Sequence, residues 1–247
     1  MKSNFLLYTA FTLVVLISAC SGQNSQNSDV TAAETTQNES EMANEGQSVA
    51  PMDESSETND SVPIRILYLG DSITAGYGLG EEQAFPNLVQ EKAEAAGFNT
   101  ITVNAGVSGD TSTGGLNRLG WLLKNQVDIL VLELGGNDGL RGVDLDLTAS
   151  NLSEIIVQTK KAWPNVKVVV AGMMVPPNLG HEYTTSFREI FPALARDHKA
   201  ELIPFVLEGV GGIKELNLPD GIHPTAEGHQ IVAETVWETI APLLEEM

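Results

Sequence analysis

The sequence predicts an α/β domain of the three-layer α/β/α, doubly wound type, and three observations carry that expectation. Short apolar runs rich in Val, Ile and Leu alternate with stretches of helical periodicity from residue 64 onward, and the links between them are short. Several runs lack the in-and-out alternation of a half-exposed strand, so they read as strands covered on both faces of a parallel sheet.

The first run, Ile64-Arg65-Ile66-Leu67-Tyr68-Leu69, stops abruptly at Gly70-Asp71-Ser72. Residues 83–96 place Phe85, Leu88, Val89, Ala93 and Ala96 at helical spacing, with Gly97 as a C-terminal stop. A short strand over 99–104 follows, then a helix registered by Leu116, Leu119 and Leu123. The best strand pattern in the chain is 127–134, and Thr148 or Ser150 is the expected cap of a helix carrying Leu152, Ile155, Ile156 and Thr159. A fourth strand over 166–171, a helix around Phe187, Ile190, Phe191, Leu194 and Ala195, a short strand at 201–203 and a final helix through Ile231, Val232, Val236, Ile240 and Leu243 complete the alternation.

What precedes residue 62 differs in composition. Met1-Lys2, an apolar run over 5–17 and Ile17-Ser18-Ala19-Cys20 read as an export signal over 1–19, too short for a comfortable membrane span. The small residues before Cys20 resemble a bacterial lipoprotein box, which implies cleavage there, lipidation of Cys20 and anchoring to a membrane of the cell envelope. Residues 20–61, rich in Ser, Asn, Gln, Glu and Asp, read as a disordered acidic tether, leaving 62–247 as the folded domain. The formal net charge of -20, from 33 acidic residues against 13 Lys plus Arg, sets nucleic acid aside as a partner, because phosphate binding needs clustered positive charge. A single Cys excludes an internal disulfide framework, and no Cys/His cluster has zinc-site spacing.

Ser72, at the carboxyl end of a buried strand, stands where ligands bind in open α/β sheets. A serine hydroxyl needs a base, and four histidines compete. His198 continues the apolar stripe of its helix, His229 lies inside the last helix with no carboxylate assigned to it, and His181 sits in an irregular loop. His223 is the better candidate: Asp220, three residues upstream, can reach Nδ1 and leave Nε2 free for Ser72. The same Asp-Gly turn can instead serve only its own backbone. Gly109 and Asn137, after the second and third strands, are candidate donors to a developing oxyanion.

Gly70-Asp71-Ser72, Gly109, Gly136-Asn137-Asp138 and Asp220-Gly221-Ile222-His223 occur in the order expected of the SGNH or GDSL hydrolases, and the chain resembles that family from about Ile64 to the final helix. The longer strings Gly70 to Tyr77, Ser108 to Ser112 and Glu133 to Gly142 resemble its bacterial thioesterase, lysophospholipase and arylesterase branch. The resemblance implies a flavodoxin-like sheet of five parallel strands, Ser72 as nucleophile with Asp220 and His223, an oxyanion hole from the Ser72 and Gly109 amides and Asn137, and neither metal nor organic cofactor. It also implies that the loop over 173–185 holds acyl chains, where Pro176-Pro177 departs from the family pattern. Thr74 occupies the second glycine position of Gly-x-Ser-x-Gly, which argues against an ordinary α/β-hydrolase. The expected partner is a small acyl ester or lysophospholipid, with the chain acting as a monomer; carbohydrate O-deacetylation and non-catalytic lipid or glycan binding stay open.

Overall fold

A computed structural model describes residues 62–247, which form a five-stranded, wholly parallel sheet in the order β2-β1-β3-β4-β5. The segments read as export signal, lipidated Cys20 and tether lie outside the described residues. The strands are β1 (Ile64–Gly70), β2 (Thr100–Gly106), β3 (Ile129–Glu133), β4 (Lys167–Ala171) and β5 (Glu201–Ile203). Their exposure follows their place in the sheet. Ile66 to Leu69 of central β1 and all five residues of β3 are buried, whereas edge strand β2 alternates Thr, Ile, Thr, Val and leaves Ile101 exposed.

Seven helices link and follow the strands among the described residues: α1 (Ser72–Ala75), α2 (Phe85–Ala95), α3 (Ser112–Leu122), α4 (Gly136–Arg141), α5 (Leu145–Ala162), α6 (His181–His198) and α7 (Ala226–Glu245). α2 packs on α7, with Lys92 paired to Glu234 across them, while α3, α5 and α6 pack in sequence. One continuous core joins the layers, from Tyr68 and Phe85 to Phe187 and Phe191, whose rings meet edge to face with centroids 5.4 Å apart.

Three sequence expectations are corrected. α5 starts earlier than a Thr148 or Ser150 cap allows: Asp144 is the N-cap, accepting from the Asp146 and Leu147 amides at 2.9 and 3.0 Å, and Thr148 is buried, donating through Oγ1 to the Asp144 carbonyl. The loop over 173–185 ends at Gly180, because α6 begins at His181 and a single 3₁₀ turn, Pro177–Leu179, occupies its middle. α4 stands where the sequence suggested only a glycine-rich turn.

Strand order reverses between β1 and β3: the chain runs from β1 outward to β2, then returns past β1 to β3. The crevice at their carboxyl ends is the topological switch point where α/β sheets bind ligands. Close packing there leaves no room at Gly106, where a Cβ would lie 2.2 Å from the Ala75 backbone nitrogen. Gly106→Ala is therefore expected to cost about 1–3 kcal/mol in stability, read from urea unfolding; an unchanged midpoint would mean that α1 is free to shift.

Candidate active site

Each strand end at the switch point delivers one polar cluster. After β1, Asp71 caps α1: its Oδ1 accepts from the Ile73 amide at 3.0 Å, turning the chain so that Ser72 is the first helical residue. The Ser72 amide at that position has no acceptor inside the helix. Gly76, with φ 69°, ends α1 after one turn. Tyr77 then lays its ring against His223, centroids 4.5 Å apart.

The structure brings Ser72, His223 and Asp220 together across 151 residues of chain. His223 Nε2 is 2.9 Å from Ser72 Oγ, and His223 Nδ1 is 2.8 Å from Asp220 Oδ2. The two readings of the Asp-Gly turn prove compatible, because the carboxylate divides its work: Oδ1 accepts from the Ile222 and His223 amides at 2.9 and 3.1 Å, while Oδ2 faces the imidazole. The hydrogen bond to His223 and those two backbone donors hold the Asp220 carboxyl well below the ordinary range, at about 2. The loop that carries the pair closes on itself. Leu218 N donates to His223 O at 2.7 Å, Thr225 N donates to Leu216 O at 2.9 Å, and the buried Asn217 side chain donates to the Val210 and Ile213 carbonyls, both at 2.7 Å.

The two remaining predicted residues meet through a third that sequence reasoning passed over. Asn137 is the second residue of α4, its Nδ2 donating to Asp71 Oδ2 at 3.0 Å and its Oδ1 accepting from Arg141 Nη2 at 3.3 Å. Gly109 adopts φ 81°, and a Cβ there would lie 3.5 Å from the same Arg141 nitrogen. Gly109 and Asn137 thus flank one guanidinium group, on the second and third clusters. Glu133, at the end of β3, is the other residue that sequence reasoning missed. It is buried; Oε2 accepts from Thr74 Oγ1 at 2.8 Å and from the Asp71 amide at 3.3 Å, and Oε1 has no partner. Burial first, then the nearby Asp71 carboxyl, drives its pKa well up. Its only signal was a lone charge at the end of an otherwise apolar run.

Ser72, Asn137 and His223 line a groove of about 560 Å³ whose other walls are largely apolar, including Leu140, Met173, Met174, Val175, Pro176, Pro177, Leu207 and Ile222. Pro176-Pro177, where the sequence departs from the family pattern, forms part of this apolar wall.

The other three histidines fall outside this groove. His181 opens α6 and borders a neighbouring hollow, and His198, the last residue of α6, sets its Nε2 2.8 Å from Ser153 Oγ of α5. His229 is wholly buried, stacked on Phe85, and its Nδ1 accepts from the Phe85 amide at 3.2 Å. Among the described residues, no group of three or more His, Cys, Asp or Glu side chains is placed to hold a metal ion.

Comparison with known proteins identifies the family. Residues 68–231 match the model of the GDSL-like Lipase/Acylhydrolase family. The chain is 40% identical over 188 residues to Esterase TesA of Pseudomonas aeruginosa, covering 76% of this chain and 92% of that protein. It is 37% identical over 180 residues to Thioesterase 1/protease 1/lysophospholipase L1 of Escherichia coli K12, covering 72% and 84%. The crystal structure of TesA superposes with a TM-score of 0.70 at 40% identity, covering 72% of this chain and 99% of that one.

His229 generates a pH prediction. Burial, with a smaller contribution from His223, pushes its pKa down to about 4 from 6.5. The unfolded chain binds the extra proton throughout that window, so the wild type loses stability as pH falls from about 6.5 to 4, by up to about 3 kcal/mol from this group. His229→Gln is expected to flatten that part of the decline in urea unfolding; identical slopes for the two proteins would exclude His229 as its source.

Proposed function

This chain belongs to the GDSL-like Lipase/Acylhydrolase family, and on that footing we propose that it hydrolyses carboxylic esters and thioesters through an acyl-enzyme formed on Ser72. It is an ester-hydrolysing serine hydrolase of the esterase and thioesterase kind. The observation that carries the mechanism is the unbroken line Asp220–His223–Ser72, at 2.8 and 2.9 Å, opening onto an apolar groove.

In the first step His223 Nε2 takes the proton from Ser72 Oγ as the oxygen bonds to the substrate carbonyl carbon. The carbonyl oxygen becomes an oxyanion, received by the Ser72 and Gly109 amides and by Asn137 Nδ2. Asp220, charged at any physiological pH, keeps the Nδ1 proton in place and stabilises the imidazolium. The tetrahedral adduct collapses as His223 hands its proton to the departing alcohol or thiol. Water, deprotonated by the same imidazole, then releases the acid and restores Ser72.

Lysophospholipids and other single-chain acyl esters are the substrate class that the groove favours, since its apolar walls take the chain while the carbonyl lies at Ser72. The apolar run over 5–17 and Cys20, the sole cysteine of the chain, support an exported bacterial lipoprotein, anchored in the cell envelope by acyl chains on Cys20 and acting as a monomer. Ester substrates would then be met outside the cytoplasm.

Ser72→Ala is expected to lower turnover of short p-nitrophenyl esters by at least about 10³-fold and to abolish labelling by a fluorophosphonate probe, and equal rates in the two proteins would remove Ser72 from the mechanism. Lysophosphatidylcholine and aryl esters should be turned over faster than acetyl-xylan; the reverse order would make the protein a carbohydrate deacetylase. Cys20→Ser should shift the protein from the membrane to the soluble fraction of cells that express it, and an unaltered distribution would refute the anchor.

A further inference from the structure

We propose that Asp71, with Arg141 opposite, is a positioning residue that fixes the orientation of the Asn137 carboxamide, so that the nitrogen and not the oxygen serves the developing oxyanion. The inference deepens the reading above and rests on Asn137 being an oxyanion donor.

A carboxamide is nearly symmetrical in shape, and its two ends differ only in what they can bond. Here the neighbours discriminate between them. Asp71 Oδ2 can only accept and lies 3.0 Å from Nδ2; Arg141 Nη2 can only donate and lies 3.3 Å from Oδ1. Rotating the amide by half a turn would set two acceptors together at Asp71 and two donors together at Arg141, losing both bonds. One hydrogen of Nδ2 is spent on Asp71, and the second stays available to the groove that Asn137 lines with Ser72.

The clamp is strongest when Asp71 is a carboxylate, and three neighbouring groups favour that form. Burial, with a smaller push from Asp110, raises its pKa, while the Ile73 amide, the Asn137 carboxamide and the nearby His223 act the other way and favour the charged form. Glu133 beside it has one oxygen with no partner, and burial and the Asp71 carboxyl push its pKa well up, so of the two buried carboxyls Glu133 holds its proton the more readily. Asp71 therefore serves two elements at once: Oδ1 caps α1 under Ser72, and Oδ2 holds α4 under Asn137.

Asp71→Asn isolates the second role. The new side chain keeps an oxygen for the Ile73 amide, so the cap survives, but it turns an NH₂ toward Asn137. Measured on a short p-nitrophenyl ester, kcat should fall about 10- to 100-fold with KM within about twofold, part of the loss that a whole missing oxyanion donor brings. The same substitution placed in Asn137→Ala should change kcat less than about twofold, because the group through which Asp71 acts is gone. An undiminished kcat in Asp71→Asn, or an equal loss in both backgrounds, would overturn the proposal and assign Asp71 to His223 or to the fold. Asn137→Ala alone tests the underlying reading: full activity there would remove Asn137 from the oxyanion hole, whereas an impaired Asn137→Ala beside an intact Asp71→Asn would refute only the clamp. Should Asp71→Asn fail to fold, Arg141→Gln, at an exposed position, asks the same question from the other side. It should lower kcat at least about threefold in the wild type and not in Asn137→Ala, and no loss in the wild type would overturn the proposal.

Discussion

The pairing of Gly70 with Glu133, where β1 and β3 end side by side, is the constraint on which the rest of the site depends. Both strands are sealed beneath helices, so their register cannot slip without pulling buried Leu, Ile and Tyr side chains out of place. From that fixed line, the loops after β1 and β3 set Ser72 and Asn137 on one groove, and the loop after β2 brings Gly109 to the Arg141 guanidinium that bonds Asn137. Gly70 is what lets the line close: a Cβ there would come within 1.9 Å of Thr74 Oγ1 and 2.7 Å of Glu133 Oε2. Arg118 reinforces the same point, donating to the Gly70 carbonyl at 2.9 Å while its Nε holds Asp110 at 2.8 Å.

Three carboxyl groups around this crevice differ in solvation and differ in acidity for that reason. Glu133 is buried with few donors, and its pKa is driven well up. Asp71 is buried with donors on both oxygens, which oppose the upward push of burial. Asp220 is half open to water, bonded by two amides and an imidazole, and is the strongest acid of the three. The effect is a gradient of acidity, from Glu133 under the sheet end through Asp71 to Asp220 beside the base, instead of three equivalent carboxyls.

How much of this is legible in the chain depends on how local the cause is. Strands β1 and β3 declare themselves through uninterrupted apolar runs, and Asp220 with His223 through a spacing of three inside one turn. α4 does not, because Gly136, Asn137, Asp138 and Gly139 are poor helix formers held in place by tertiary contacts: Asp138 accepts from the Ser112 amide and hydroxyl at 2.8 and 2.6 Å, and Tyr183 donates to the Gly139 carbonyl at 3.0 Å. The start of α5 is misplaced for a related reason, since Asp144, Thr148 and Ser150 are all acceptable caps by type, and only the fold decides which amides are left open. Glu133 and Arg141 acquire their meaning from partners that the sheet brings near, which no periodicity encodes.

The closed loop that carries Asp220 and His223 has a mechanical corollary. Its hydrogen bonds join Leu216, Leu218, His223 and Thr225 to one another, and Asn217 nails its stem to the Val210 and Ile213 carbonyls. Acid and base are thus a prefabricated cartridge, whereas the serine belongs to the sheet, and the imidazole–hydroxyl hydrogen bond, the Tyr77 ring and the approach of Leu218 to Gly78 span the seam. Any breathing of the molecule along that seam disarms the nucleophile while leaving the proton relay intact and ready to re-engage.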